Sequence, residues 1–243
     1  MKKIILVAAV MATLTGSIAR ADDQKPDNEI SFNAAVVSDY RYRGISQTHL
    51  DPALQGGADY TNNPTGLYAG TWLSTIHWIK DVGGNDNVEW DLYAGKRGEI
   101  VPDISYDIGV LSYVYPNNAL PTSANTTEVY GQLGYGPAYA KYSYSLTDLF
   151  GFVDSKGSGY LDIGANLDGT DGFTINLHAG HQTVAHLSVA GYTDWKVGVT
   201  KDFGVVSAAV AVIGANTNYY VGPAPDLKNL GKTSLVVSVG KTF

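Results

Sequence analysis

The chain has 243 residues, with 16 lysines and arginines against 23 aspartates and glutamates, a formal charge of −7. That acidic balance argues against a nucleic-acid partner, because nucleic-acid binders present basic patches. It contains no cysteine, which excludes disulfides and thiolate metal sites even in an oxidising compartment.

Residues 1–21 read as a signal peptide: Lys2 and Lys3 supply the positive start, Ile4 to Leu14 the short apolar core, and Ala19-Arg20-Ala21 the cleavage site. The apolar run is too short for a membrane-spanning helix, which needs roughly 20 residues. A helix docked on a soluble domain is the other reading of this segment. Cleavage leaves 22–243 as one domain with 13 basic residues against 23 acidic ones, a formal charge of −10. No later apolar stretch reaches ~18 residues, which excludes a helical membrane protein. Twenty-eight glycines and 17 tyrosines, with only 16% charged residues, suit strands with aromatic belts better than a soluble enzyme.

Period-2 alternation then recurs from end to end. Ile30, Phe32, Ala34 and Val36 oppose Ser31 and Asn33; Leu54, Ala58 and Tyr60 oppose Gln55 and Asp59. Val88, Trp90 and Leu92 oppose Glu89 and Asp91; Tyr106, Ile108 and Val110 oppose Ser105 and Asp107. Val129 and Leu133 oppose Glu128 and Tyr130, and Tyr142 and Tyr144 oppose Lys141 and Ser143. Leu161 and Ile163 oppose Asp162, Ile175 and Leu177 oppose His178, and Trp195 and Val197 oppose Asp194 and Lys196. The stretches 67–74 and 205–215 are apolar on both faces and have no readable orientation. With the run from Leu235 to Phe243, about twelve strands result.

Short joints fall near 61–66, 96–103, 136–137, 168–172 and 202–204. Longer pieces lie between them, at 42–52, 75–86, 116–126, 147–157, 183–191 and 216–232. This alternation predicts an all-β protein, a closed antiparallel transmembrane β-barrel with short periplasmic turns and longer extracellular loops. A soluble sandwich or propeller also alternates. Twelve strands closed around an apolar core would be hollow, however, and a sandwich predicts no such asymmetry of loop length.

If Ile30 to Val36 face lipid, the same phase sends Tyr40 and Tyr42 outward to the interface. Asp39, Arg41 and Arg43 then point inward near the outer mouth. They read as a charged constriction that sorts solutes, or as groups that neutralise wall carboxylates and hold the barrel's shape. The extended phase adds Asp59, Glu89, Asp91, Asp107, Glu128, Asp162 and Asp194 to the lumen, with Lys141 and Lys196 as further bases. The acidic surplus predicts a preference for cations. Tyr113, Tyr115, Tyr130, Tyr139 and Tyr160 fall inside or at the mouth, either as a stacking path or as space-filling groups.

His178 and His181 are three apart on a strand and so point to opposite faces, and His186 lies in a loop. No metal site is expected from them, nor any cofactor. Asp162 and His178 lie on adjacent inward faces, where they form a lumenal hydrogen-bonding pair or part of a hydrolase site. No nucleophile elbow accompanies them, so no catalytic residue is assigned and no enzyme is expected.

The block Ser38-Asp-Tyr-Arg-Tyr-Arg-Gly-Ile-Ser-Gln47 resembles the S-D-Y-x-x-R-G-x-S-Q signature of the TorF family of porin-like proteobacterial outer-membrane proteins. Asp91-Leu-Tyr-Ala-Gly-Lys-Arg-Gly-Glu-Ile100, Ala140-Lys-Tyr-Ser-Tyr-Ser145 and Gly159-Tyr-Leu-Asp162 are similar to further family segments, in the same order. The resemblance implies a pore in the outer membrane of a Gram-negative bacterium and brings no catalytic residues. The C-terminus resembles the signal read by the barrel-assembly machinery: Phe243, Val239, Val237 and Leu235 fit, while Lys241 departs from the usual apolar slot.

The expected function is therefore passive diffusion of small hydrophilic, preferentially cationic solutes. A plugged barrel that binds through its extracellular loops is the alternative, and an outer-membrane hydrolase a weaker one. The implied partners are outer-membrane lipid, periplasmic chaperones, the barrel-assembly machinery and small solutes.

Overall fold

The computed structural model describes residues 26–243, so the signal segment read at 1–21 lies outside the described residues. Strand β1 (Asn28–Val37) leads into a small hairpin, β2 (Arg41–Tyr42) and β3 (Ile45–Ser46). Next come β4 (Ala53–Asn62), β5 (Leu67–Thr75), a single helical turn α1 (Trp78–Asp81), β6 (Val88–Val101) and β7 (Ile104–Val114). Strands β8 (Thr126–Tyr135), β9 (Ala138–Ser145), β10 (Gly159–Asp168) and β11 (Phe173–Thr183) follow. A short 3-10 turn at Ser188–Ala190 precedes β12 (Tyr192–Asp202), β13 (Ser207–Ala215) and β14 (Ser234–Thr242).

Twelve of these strands form one closed antiparallel barrel, each paired with its neighbours in the chain, as the alternation predicts. The hairpin β2–β3 stands apart as its own two-stranded sheet. The seam is made by β1 with β14, from Asn33 opposite Thr242 to Val37 opposite Ser238. Closure leaves no sheet edge bare, and a chain surrounded by hydrocarbon must satisfy every backbone group internally.

Burial is inverted relative to a soluble protein. Ile30 is 67% exposed and Ile163 52%, whereas Asp91 and Asp107 are at most 1% exposed. An apolar belt of this extent is stable only against another apolar medium. The alternation has a sharp energetic reason: turning a strand's charges outward costs roughly 2–4 kcal/mol per Lys or Arg at the bilayer midplane. Aromatics gather toward the belt's borders. Tyr135, Phe173, Phe203 and Phe243 sit at the end with the short turns, and Trp90, Tyr144 and Trp195 toward the other.

The two strands without a readable phase now have one. In β5, Tyr68, Trp72 and Ser74 are buried inward while Leu67 and Leu73 face out. In β13, Val210 and Val212 face out, and Ala209, Ala211 and Ile213 line the interior.

Two expectations fail. Residues 96–103 are not a turn: β6 runs to Val101, with Arg97 opposite Asp107 and Glu99 opposite Ser105, and only Pro102-Asp103 connects to β7. The glycine and charges of that stretch imitate turn chemistry, but continued pairing overrides it. Tyr40 and Tyr42 do not face outward either. The strand phase ends at Val37, where the Ser38 N–H donates to the Val237 carbonyl and the Ser38 hydroxyl accepts from the Val237 N–H. The chain then folds into the barrel.

Candidate functional site

The block that carries the family resemblance, Ser38 to Gln47, builds the inserted hairpin from local chemistry. The Asp39 carboxylate gathers the turn: it accepts from Arg41 Nε at 2.5 Å and from the Ser46 hydroxyl at 2.6 Å. Arg43 and Gly44 connect β2 to β3 with φ of 45° and 78°, the two positive values that a type I′ hairpin turn needs. Gly44 is required for a second reason. A Cβ there would lie 2.5 Å from Asp194 Cβ, so the hairpin tip is pressed against the wall at β12. Arg41 fastens the base of the hairpin through the carbonyls of Gly44, Leu230 and Lys232.

From this hairpin, side chains reach the wall on several sides. Arg43 Nη1 and Nη2 donate to Glu128 Oε1 and Oε2 at 3.1 and 2.6 Å, and Nη1 also donates to Gln182 Oε1 at 2.7 Å. The guanidinium lies over the rings of Tyr42 and Tyr160, 4.8 and 4.2 Å from their centroids. Burial works against this cation, but Glu128 together with Tyr42 and Tyr113 outweighs it and holds Arg43 above its ordinary range. Tyr40 donates to Glu89 Oε1 at 2.6 Å while Tyr115 donates to Oε2 at 2.7 Å. Burial, reinforced by the Glu89 charge, pushes both hydroxyls up, so they remain neutral donors. Above them Tyr42, Trp78, Tyr113, Tyr115 and Phe150 pack edge to face and roof the outer mouth.

Lower in the lumen a second network runs around the wall. Tyr68 and Tyr130 share a hydroxyl contact, and Tyr68 donates to Asp107 at 2.6 Å. Lys141 Nζ lies 3.9 Å from the Tyr130 ring centroid. Tyr93 donates to Asp59 at 2.6 Å. His178 bridges two carboxylates, Asp162 through Nδ1 at 2.8 Å and Asp194 through Nε2 at 2.7 Å, and Tyr160 donates to Asp194 at 2.9 Å. Lys196 stands half-buried beside His178 on the next strand.

Several tyrosine rings lie flat over glycines of neighbouring strands. A Cβ on Gly109 would come within 2.6 Å of Tyr130 Oη, and one on Gly164 within 2.5 Å of Tyr139 Oη. Thus the glycine and tyrosine excess of the sequence serves the lumen as well as the membrane border.

The interior is lopsided. Its charges lie on the arc from β4 to β12, while Ala209, Ala211, Ile213, Val236, Ser238 and Ala35 line the rest. Access is graded as well. Asn33, Asn166, Asn176 and Thr200, toward the short-turn end, are partly exposed, whereas Asp39, Glu89, Asp91, Glu128 and Asp194 are nearly sealed. Exposure thus falls from the end with the short turns toward the hairpin and its aromatic roof.

Every charged residue read from the sequence as lumenal points into the barrel, but Asp39, Arg41 and Arg43 do so from the inserted hairpin segment and not from a strand of the barrel. Sequence reasoning missed Arg97, whose guanidinium lies 5.1 Å from the Tyr68 ring centroid. It also missed Gln182 and Tyr40. Tyr40 had a signal: the density of Ser, Asp and Gly around it is turn chemistry, which does not continue a strand. His178, His181 and His186 do not converge. His181 faces outward against Thr193 at 2.9 Å, and His186 is in a loop against the Asp154 carbonyl at 2.7 Å. Among the described residues no group of three His, Asp or Glu side chains could cage a metal ion.

The family model for Gcw_chp, described as a bacterial protein of unknown function, matches residues 21–243. The chain belongs to that family. No curated protein matches its sequence. Among solved structures it is similar to the NanC porin, at 9% identity over 88% of this chain and 98% of that one, with a TM-score of 0.54. It also resembles OccAB3 of Acinetobacter baumannii, at 10% identity over 90% of this chain and 65% of that chain, with a TM-score of 0.43. For the outer membrane phospholipase A of Escherichia coli the values are 14%, 88% and 90%, and 0.46. Identities this low speak for the fold alone, and only the first score exceeds one half.

Proposed function

We propose that this protein is an outer-membrane channel for passive diffusion of small hydrophilic solutes, cations above anions, with the hairpin of residues 38–52 as its constriction. The observation that carries the reading is the acidic wall. Asp39, Asp59, Glu89, Asp91, Asp107, Glu128, Asp162 and Asp194 face the lumen against Arg41, Arg43, Arg97, Lys141 and Lys196, an excess of carboxylates that favours cations. Similarity of fold to the NanC porin and the resemblance of the Ser38–Gln47 block to TorF proteins agree with it.

On this reading the segment 1–21 directs export and is removed. Periplasmic chaperones and the barrel-assembly machinery then deliver the chain to lipid, with Phe243 as the recognised end. No step needs a cofactor or a catalytic residue.

A second reading, a plugged barrel acting through its outer loops, is favoured by one observation: five carboxylates around the hairpin have at most 5% exposure. Planar-bilayer recording across a salt gradient separates the two. Discrete steps with a cation-directed reversal potential support the channel; steps with anion preference overturn the selectivity. Silence from folded protein supports the plug.

A further inference from the structure

A row of inward side chains crosses four neighbouring strands: Lys141 on β9 opposite Asp162 on β10, and His178 on β11 opposite Lys196 on β12. His178 joins the two halves, since its Nδ1 meets Asp162 and its Nε2 meets Asp194. Ionised carboxylates only accept, so both ring nitrogens carry hydrogen and the imidazole is cationic. With Asp194 the row then holds three cations against two carboxylates. Its acids are also the satisfied members: Asp162 accepts from His178, and Asp194 from His178 and Tyr160. The ammonium groups are not. Neither Lys141 nor Lys196 has a hydrogen bond or ion pair among the described residues, and Lys141 rests only on the face of Tyr130. Neither nitrogen is fully enclosed. A lysine offers three donors and no acceptor, so the partner this row lacks is an anion.

Lys196 also borders the uncharged side of the lumen, where β13 runs next to β12 and β14 and β1 follow. Lys196, Ala209, Ala211, Ser238 and Ala35 point inward and are all partly exposed, which leaves free space against a wall of short, mostly apolar side chains. We propose that the lumen holds a binding site for a small apolar monocarboxylate, its carboxylate met by Lys196 and drawn by Lys141, its body along β13, β14 and β1. One negative charge matches the single surplus cation of the row. An inorganic anion would leave the apolar wall without contact. The acidic excess of the whole lumen governs which ions pass, whereas this row, where cations exceed acids, governs which solute is held. The inference rests on the channel reading only for the route by which the solute arrives.

The test is calorimetric titration of the folded protein in detergent at low salt with sodium butyrate, butyramide and butylammonium chloride. Butyrate binds saturably, and its neutral and cationic counterparts of like size do not. Lengthening the acid to hexanoate tightens binding by up to about fourfold for each added methylene. Lys196→Gln weakens butyrate by about tenfold or more, as loss of a charged hydrogen-bond donor does, while Lys196→Arg retains it. No saturable butyrate binding, butyramide binding equal to butyrate, or an unchanged affinity in Lys196→Gln overturns the site. Chloride competing as strongly as butyrate overturns the organic acid. The comparison of the three ligands on the wild type decides even where Lys196→Gln does not fold. Because titration needs no conductance, a silent bilayer would remove the channel reading and leave this one standing; cation-selective steps without butyrate binding would do the reverse.

Discussion

Arg43 and Glu128 lie 85 residues apart in the chain and meet inside the barrel as a two-pronged ion pair, with side chains 7% and 2% exposed. Removing one partner of such a buried pair strands the other, at about 3–5 kcal/mol. Arg43→Ala should therefore lower the urea midpoint of unfolding. Because it also cuts the hairpin's hold on β8 and β11, single-channel conductance should rise. Arg43→Ala with Glu128→Gln should recover stability while keeping the larger conductance. Equal conductance in all three proteins would mean that the hairpin does not set the pore.

Gly44 sets the depth of the hairpin. A non-glycine residue at its positive φ costs roughly 1–2 kcal/mol, and the added Cβ collides with Asp194 Cβ. Gly44→Ala should displace the tip from β12 and, with it, Arg43 from its two ring contacts. The expected readout is a noisier, wider channel and faster proteolysis within 38–52 in the folded protein. Conductance and protease resistance equal to wild type would show that the wall gives way instead.

The Tyr40–Glu89–Tyr115 contact predicts a pH response. Both hydroxyls are pushed up by burial first and the Glu89 charge second. A group that holds its proton more tightly when folded stabilises the folded arrangement below its unfolded value, about 10 for tyrosine, and that contribution falls as pH rises beyond it. The hairpin should thus stay seated up to about pH 10 and loosen above it. Alkaline titration of channel noise is the measurement, and Tyr40→Phe should loosen the hairpin at every pH, since an unsatisfied buried partner costs roughly 1–3 kcal/mol. Noise that starts to rise near neutral pH in the wild type would contradict the assignment.

What the sequence made legible follows from what lipid enforces. Ile30, Ile108 and Val197 must face out and Asp107 must not, so a period of two survives along every spanning strand. The pairing of Asp162 with His178 was readable because a short turn at 168–172 fixes the register of β10 against β11. Asp194 as the second partner of His178 was not, since which inward groups touch depends on tilt and curvature. Tyr40 was misplaced because the phase was carried past Val37, where no lipid any longer enforces it. Arg97 was lost for the opposite reason: Lys96 to Gly98 look like a turn, but cross-strand partners on β7 keep them paired.

Closure at the seam separates two roles of the last residue. The Phe243 N–H donates to the Phe32 carbonyl at 2.8 Å and the Phe32 N–H to the Phe243 carbonyl at 3.2 Å, so the terminal backbone completes the β1–β14 ladder, while the ring lies exposed on the lipid side. Deleting Phe243 removes both bonds and the ring; Phe243→Ala removes only the ring. If the ring is what the assembly machinery reads, Phe243→Ala should refold into detergent like the wild type yet be depleted from outer membranes in cells. The deletion should be impaired in both settings, because Phe32 is left with an unpaired N–H and carbonyl in an apolar surrounding. Heat-modifiable gel mobility reports folding in each case. Normal membrane levels of Phe243→Ala would assign Phe243 to the seam alone.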